Sequence, residues 1–217
     1  MTTDTSQRDR TGIILLATRS EAKQRELLSL LASLGRDVIT LAEAGVAVDD
    51  GEDAIESHPT FAENALAKAR WFHHRTGLPS IADDSGLVVD ALDGRPGVRS
   101  RRWSGRDDLV GPALDAVNNQ VLLQSLNAAD AAGSKGRVAR YVCAAAYVDG
   151  QRELVRTRET FGLIVSEPRG HGGFGYDPYF WSPELGRTFA EADVEEKAGV
   201  SHRGRAVRAL CEAIVAS

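Results

Sequence analysis

An excess of positive charge is missing from this chain: 26 Lys and Arg stand against 31 Asp and Glu, a formal net charge of -5. With no global basic field, a coat for nucleic acid is excluded as its main task, whereas a small anion held by a few convergent cations is not. Cysteine is scarce too. Cys143 lies in the apolar run YVCAAAYV and Cys211 in a helical pattern near the C-terminus, a spacing that fits no metal site and no disulfide framework. Buried free thiols in a reducing compartment are the expectation. Long apolar runs are absent as well: IILLA, after the polar MTTDTSQRDRTG, is far too short for a signal segment or a membrane span. A soluble, cytoplasmic protein without membrane partners is expected. What is present is 42% hydrophobic residues in a chain of 217, enough for one sizeable core.

Periodicity orders the chain into alternating strands and helices. Ile13 to Ala17 reads as a buried strand, and Leu27, Leu30, Leu31 and Leu34 follow at helical spacing until Gly35. Asp37 to Leu41 is a second strand, and Glu43 to Pro59 has no period and reads as a long loop. Thr60 to Glu63 has capping-box spacing and opens a helix ending near Gly77. Pro79 to Val89 reads as two short strands around an acidic turn. A loop from Asp93 to Arg106, a helix over Leu109 to Leu126 and a connector from Ala128 to Gly136 come next. Val138 to Val148 and Leu154 to Phe161 flank Asp149-Gly150, a strong hairpin signal. A glycine-dense stretch, Pro168 to Pro178, precedes a last helix from about Arg203 to Val215. The pattern predicts an α/β protein with a mixed central sheet and flanking helices.

Four constellations could carry chemistry. Thr18-Arg19-Ser20-Glu21-Ala22-Lys23 joins strand to helix, where helix amides, hydroxyls and Lys23 can meet an anion; Ser20 as a plain N-cap is the competing account. Asp83-Asp84-Ser85-Gly86 either caps a turn or holds a hard cation, and strand alternation lets only one of the two carboxylates face a given side. Glu56 could add a second oxygen ligand, and Lys68 a phosphate contact. Glu63 is explained by the capping box alone. Gly172 to Asp177 permits close approach to a ligand while Phe174 and Tyr176 offer ring faces. Lys197, His202 and Arg203 gather donors at one helix entrance, which suits a phosphate or oxyanion.

Taken in order, Thr18 to Lys23, Thr60 to Ala65, Ala82 to Leu87, Gly173 to Pro178, and Glu196-Lys197 with Ser201-His202-Arg203-Gly204 resemble the inosine triphosphate pyrophosphatase family. The resemblance runs from about Ile13 to the C-terminal helix. It implies hydrolysis of ITP, dITP and XTP to monophosphate and pyrophosphate, which clears deaminated purines from the nucleotide pool. It also implies a homodimer dependent on Mg²⁺, a flexible tail over residues 1–10, and a single domain over 11–217 whose two lobes enclose a nucleotide cleft. By position, Asp84 would be the proton acceptor and a metal ligand, with Glu56 the second ligand. Thr18, Arg19, Ser20, Glu21, Ala22 and Lys23, with Lys68 and Ser85, would hold phosphates. Phe174, Gly175, Tyr176 and Asp177, with Lys197, His202 and Arg203, would enclose the nucleoside, and Arg203 would favour a 6-oxo over a 6-amino purine. Ser20 departs from the family's usual asparagine, and Trp103 from its common tyrosine. The competing readings are a pyrophosphatase of the septum-inhibitor type, acting on modified pyrimidine nucleotides, and a nucleotide-binding regulator without turnover.

Overall fold

The computed structural model describes residues 12–133 and 136–216, so the expected tail over residues 1–10 lies outside the described residues. β1 (Ile13–Leu16) leads into α1 (Glu21–Leu31), β2 (Asp37–Thr40), a short α2 (Glu52–Ile55) and α3 (Phe61–Thr76). Next come β3 (Ser80–Val89), α4 (Gly111–Ala131), the hairpin of β4 (Val138–Val148) and β5 (Glu153–Ile164), and the short strands β6 (Phe180–Ser182) and β7 (Arg187–Thr188). α5 (Val194–Val200) and α6 (His202–Ala216) follow. The strands form one mixed sheet in the order β2-β1-β3-β4-β5-β6-β7. β2, β1 and β3 are parallel, and the rest of the sheet is antiparallel.

Local signals explain most boundaries. Ser20 caps α1 by accepting from the Lys23 amide, and Thr60 caps α3 by accepting from that of Glu63. Gly77, at φ 69°, ends α3 in the left-handed conformation that glycine adopts freely. Elsewhere tertiary pairing overrode them. Ser80–Val89 is one continuous strand and not two around a turn, because β4 pairs with every residue from Ser80, opposite Val148, to Val89, opposite Ala139. α2 forms inside the expected loop, a 3-10 turn (Gly97–Arg102) inside another, and α4 runs on to Ala131, into the connector expected from Ala128. A capping box, Asp193 with Glu196, opens α5, a helix ahead of the one expected from about Arg203 and not itself expected from the sequence.

Strand alternation divides the core between two faces. Ile81, Cys143 and Ala145 pack with Leu27 and Leu31 of α1 and Val207 and Leu210 of α6. Ala82, Ala144 and Ala146 pack on the other face with Ala65, Ala69 and Phe72 of α3. A third cluster joins Leu87 and Val89 to Leu122 and Leu126 of α4 and to Tyr141, Phe180 and Phe189. Both cysteines are buried free thiols, as expected. No helix among the described residues is long and apolar enough to cross a membrane.

One register detail creates the site. β1 ends at Leu16, opposite Ile81, while β3 continues to Val89. Past Ile81, therefore, β3 loses β1 as its neighbour, and its backbone groups on that edge need other partners. Lys68 Nζ donates to the Asp83 carbonyl oxygen at 3.0 Å, and the Leu87 amide donates to Ser100 Oγ at 2.8 Å. Gly86 sits where the 3-10 turn closes on this edge. A Cβ there would lie 2.4 Å from the Gly97 carbonyl oxygen, 2.4 Å from Ser100 Oγ and 2.9 Å from Phe61 Cε1. Gly86→Ala is therefore expected to destabilise the fold by about 1–3 kcal/mol, the usual cost of overpacking, read as a lower urea midpoint. An unchanged midpoint would show that the turn yields freely.

Candidate active site

Beyond the end of β1, the open edge of β3 gathers side chains from α1, α3 and α6. This is the crevice outside the carboxyl ends of parallel strands, where α/β sheets place ligands. Asp83 and Asp84 point to opposite faces, as alternation requires. Asp83 Oδ2 accepts from Lys23 Nζ of α1 at 3.1 Å and from Arg203 Nε of α6 at 3.2 Å. Asp84 Oδ2 faces α3 and accepts from Asn64 Nδ2 at 3.0 Å, while Oδ1 takes the Ser85 amide at 2.9 Å.

The two carboxyls consequently differ in character. Burial alone would raise Asp83, but Lys23, Arg203 and Lys68 outweigh it and hold that carboxyl well below the usual carboxylate range. Asp84 is pushed upward: burial dominates, Lys23 and Lys68 oppose it, and Glu56 adds to it. A carboxylate raised in this way is a stronger base than its lowered neighbour, which suits it to accept a proton. Glu56, the loop glutamate, forms an ion pair with Lys68. Lys68 is buried, and the pull of Glu56, Asp83 and Asp84 overcomes its desolvation and raises its pKa.

A second set of charges lies on the α1–α6 side. Arg203 is 3% exposed and each guanidinium nitrogen has a protein partner: Nε to Asp83, Nη1 to Glu26 and Nη2 to Ser85 Oγ at 2.8 Å. Lys197, on the last turn of α5, donates to Asp177 Oδ2 at 2.6 Å and Glu26 Oε1 at 2.7 Å. Asp177 Oδ2 also takes the Phe174 amide at 2.9 Å, and the Phe174 ring lies 5.0 Å from Lys197 Nζ and 5.4 Å from the Arg203 guanidinium carbon. Glu26, which joins Lys197 to Arg203, escaped the sequence reading. Its signal was its place one turn beyond Lys23 on α1.

Arg19 is committed to Glu52, by Nε at 3.0 Å and Nη2 at 2.7 Å, and to the Val46 and Ala47 carbonyl oxygens. It pins the phosphate-loop candidate to α2 and to the segment before it. Thr18 is buried, Ala22 half-buried, and Glu21 is exposed in the first turn of α1, where it complements the helix dipole. Tyr176 is buried, its hydroxyl on the Ser100 carbonyl oxygen at 2.7 Å. His202 opens α6 with its ring stacked on Tyr141 at 4.5 Å, and burial, then Arg203 and Lys197, hold its pKa well below the usual imidazole value.

The donors suit a hard cation of low coordination demand. Asp83 is close enough to raise Glu56, and Glu56 to raise Asp84, and the buried Asp83 Oδ1 has no hydrogen-bond partner among the described residues. Among the described residues no three His, Cys, Asp or Glu form a protein-only cage. Carboxylate oxygens are donors for a hard cation, which completes its shell with water or phosphate oxygens.

His202 generates a stability prediction. Its folded pKa lies below its unfolded value, so the unfolded chain binds the extra proton and stability falls as pH drops. The loss begins near pH 6.5 at a limiting slope of about 1.4 kcal/mol per pH unit. Urea melts between pH 7 and 5 are expected to show a smaller slope for His202→Asn than for wild type. Equal slopes would place the titration elsewhere.

Known proteins resemble this chain over most of its length. The Ham1 family profile matches residues 14–213. A dITP/XTP pyrophosphatase of Frankia alni is 48% identical over 198 residues, 91% of this chain and 94% of that protein. One from Thermus thermophilus is 46% identical over 200 residues, 92% and 90% of the two chains. The structure of a HAM1 protein from Coxiella burnetii superposes with a TM-score of 0.80 at 38% identity, covering 94% of this chain and 99% of that one. With a match that spans nearly every described element, from β1 into α6, the chain belongs to the Ham1 family.

Proposed function

We propose that the chain hydrolyses 6-oxo purine nucleoside triphosphates, namely ITP, dITP and XTP, to the monophosphate and pyrophosphate. The observation that carries this reading is the pair of adjacent carboxylates split across β3, with Asp83 held ionised and Asp84 raised, between Lys23 and Lys68. Relatives named dITP/XTP pyrophosphatase support it. A water at the α-phosphorus loses a proton to Asp84 as its oxygen bonds phosphorus. The bond from the α-phosphorus to the bridging oxygen breaks, and pyrophosphate departs with the electron pair. Lys23, Lys68 and the amides at the start of α1 offset charge on the phosphates, with Ser85 alongside.

We infer Mg²⁺ as the cofactor, held by Asp84 and Glu56, where it would supply Lewis-acid charge to the triphosphate oxygens. Phe174 to Asp177, with Lys197, His202 and Arg203, enclose the nucleoside. Arg203 keeps an N–H on each terminal nitrogen beyond its protein bonds, which suits a 6-oxo acceptor and leaves an unpaired donor against a 6-amino group. His202 acts here as a neutral stacked ring and not as a phosphate cation. The further reading is a two-lobed domain over residues 11–217, cytoplasmic and homodimeric. Val138, Phe161 and Leu163, exposed on one face of the β4–β5 ladder, are the apolar surface that favours pairing.

A screen of nucleoside triphosphates for pyrophosphate release, with and without Mg²⁺, tests the reaction. Release from dITP and XTP well above that from ATP is expected; a preference for modified pyrimidine nucleotides, or no release from any, would overturn it. The two aspartates should separate in mutagenesis. Asp84→Asn is expected to keep its melting temperature and lose about a hundredfold or more in kcat, the usual worth of a general base. Asp83→Asn leaves Lys23 and Arg203 short of a buried counter-charge and is expected to cost about 3 kcal/mol of stability besides activity. The reverse pattern in melting curves would exchange the two roles.

A further inference from the structure

The glycine-rich loop has little packing of its own at Gly175. A Cβ there would meet nothing within 4 Å, and its φ of +63° is a conformation that glycine supplies without strain. Yet the peptide groups on both sides of its Cα are held from outside the loop. The Gly175 amide donates to Asp115 Oδ2 at 2.8 Å, and its carbonyl oxygen accepts from Asn119 Nδ2 at 2.8 Å. Asp115 and Asn119 stand a turn apart on α4, so one face of that helix grips the loop twice. Asn118, next along the helix, holds the 3-10 segment in the same manner: Nδ2 donates to the Arg101 carbonyl oxygen at 2.9 Å, and Oδ1 accepts from the Ser104 amide at 2.8 Å. Tyr176 joins the two segments through the Ser100 carbonyl oxygen.

α4 is itself anchored in the sheet by Leu122 and Leu126. It therefore acts as a strut between the sheet and the loop. Phe174 immediately precedes the doubly held residue, and its ring lies against Lys197 and Arg203. A carboxylate accepting an amide proton makes a stronger bond than a neutral acceptor would, which suits a loop that must be ordered before ligand arrives.

We infer that Asp115 and Asn119 are positioning residues for the base: by fixing both peptide planes at Gly175 they set the direction of the Phe174 ring, and so the affinity for the purine, without touching it. The inference rests on the hydrolase reading above. A loop freed from α4 must be ordered by the substrate, at the expense of binding energy. Among the described residues, the phosphate side, built on β3, α1 and α3, has no hydrogen bond to Asp115 or Asn119, so turnover of bound substrate is spared.

Steady-state kinetics with dITP and dATP, alongside melting curves, test this in Asp115→Ala, Asp115→Asn and Asn119→Ala. Asp115→Ala is expected to raise KM for dITP about tenfold, the loss of one charge-assisted bond, with kcat nearly unchanged and the preference over dATP narrowed. Asp115→Asn retains an acceptor oxygen and is expected to restore most of the KM. A folded Asp115→Ala with wild-type KM, a loss confined to kcat, or an Asp115→Asn as impaired as the alanine variant would overturn the inference. If Asp115→Ala fails to fold, Asn119→Ala decides: a raised KM supports the strut, and a wild-type KM overturns it. A wild-type chain that releases no pyrophosphate from dITP would overturn the hydrolase reading itself, whereas an active wild type with unaffected variants would overturn this inference alone.

Discussion

β3 outruns β1, and the backbone edge it leaves open has to be satisfied by something other than a strand. A buried carbonyl or amide without a partner costs about 1–3 kcal/mol, so the chain brings side chains to that edge. Lys68 reaches the Asp83 carbonyl from α3, and Ser100 takes the Leu87 amide from the 3-10 turn. These contacts deliver an ammonium group beside two carboxylates. The interruption that threatens the sheet is thus also what assembles a polar crevice in it.

Charge balance then determines what the crevice can accept. Glu26, Glu56, Asp83, Asp84 and Asp177 stand against Lys23, Lys68, Lys197 and Arg203, nearly all of them within ion pairs. Such an arrangement is not an efficient source of stability, because removing charges from water costs several kcal/mol per ion. Its value lies in preorganisation: donors already held in place need no reorganisation when charge moves from water oxygen to leaving pyrophosphate. Asp83 serves that purpose as a fixed counter-ion, which leaves Asp84, on the other face of the same strand, in an environment that raises it.

The glycine-rich segment shows a different economy. Glycines at 173 and 175 allow left-handed turns but contribute no packing, so the loop takes its order from Asp177, Asp115 and Asn119. Two of those three lie on α4, far along the chain, and their side chains bond backbone. A pattern of glycine and aromatic residues announces that a loop can approach a ligand. It does not announce what holds the loop still.

Local signals were enough for the caps Ser20 and Thr60, the β4–β5 hairpin, the alternation that parts Asp83 from Asp84, and the motif residues that carry the family resemblance, because each depends on residues a few positions apart. The bond of Arg19 to Glu52 was not legible, since Glu52 lies in a segment without period. Glu26 was passed over because a half-exposed pattern on α1 hides an ion pair with residues more than a hundred positions away. The continuity of β3 depended on β4, and the different titration of the two aspartates on Lys23, Lys68 and Arg203 arriving from three helices. By itself, then, the sequence determined which groups were available and which faces they would take. Which carboxyl is lowered and which is raised belonged to the tertiary structure, because burial and charge at a point in space are sums over segments that the chain order keeps apart.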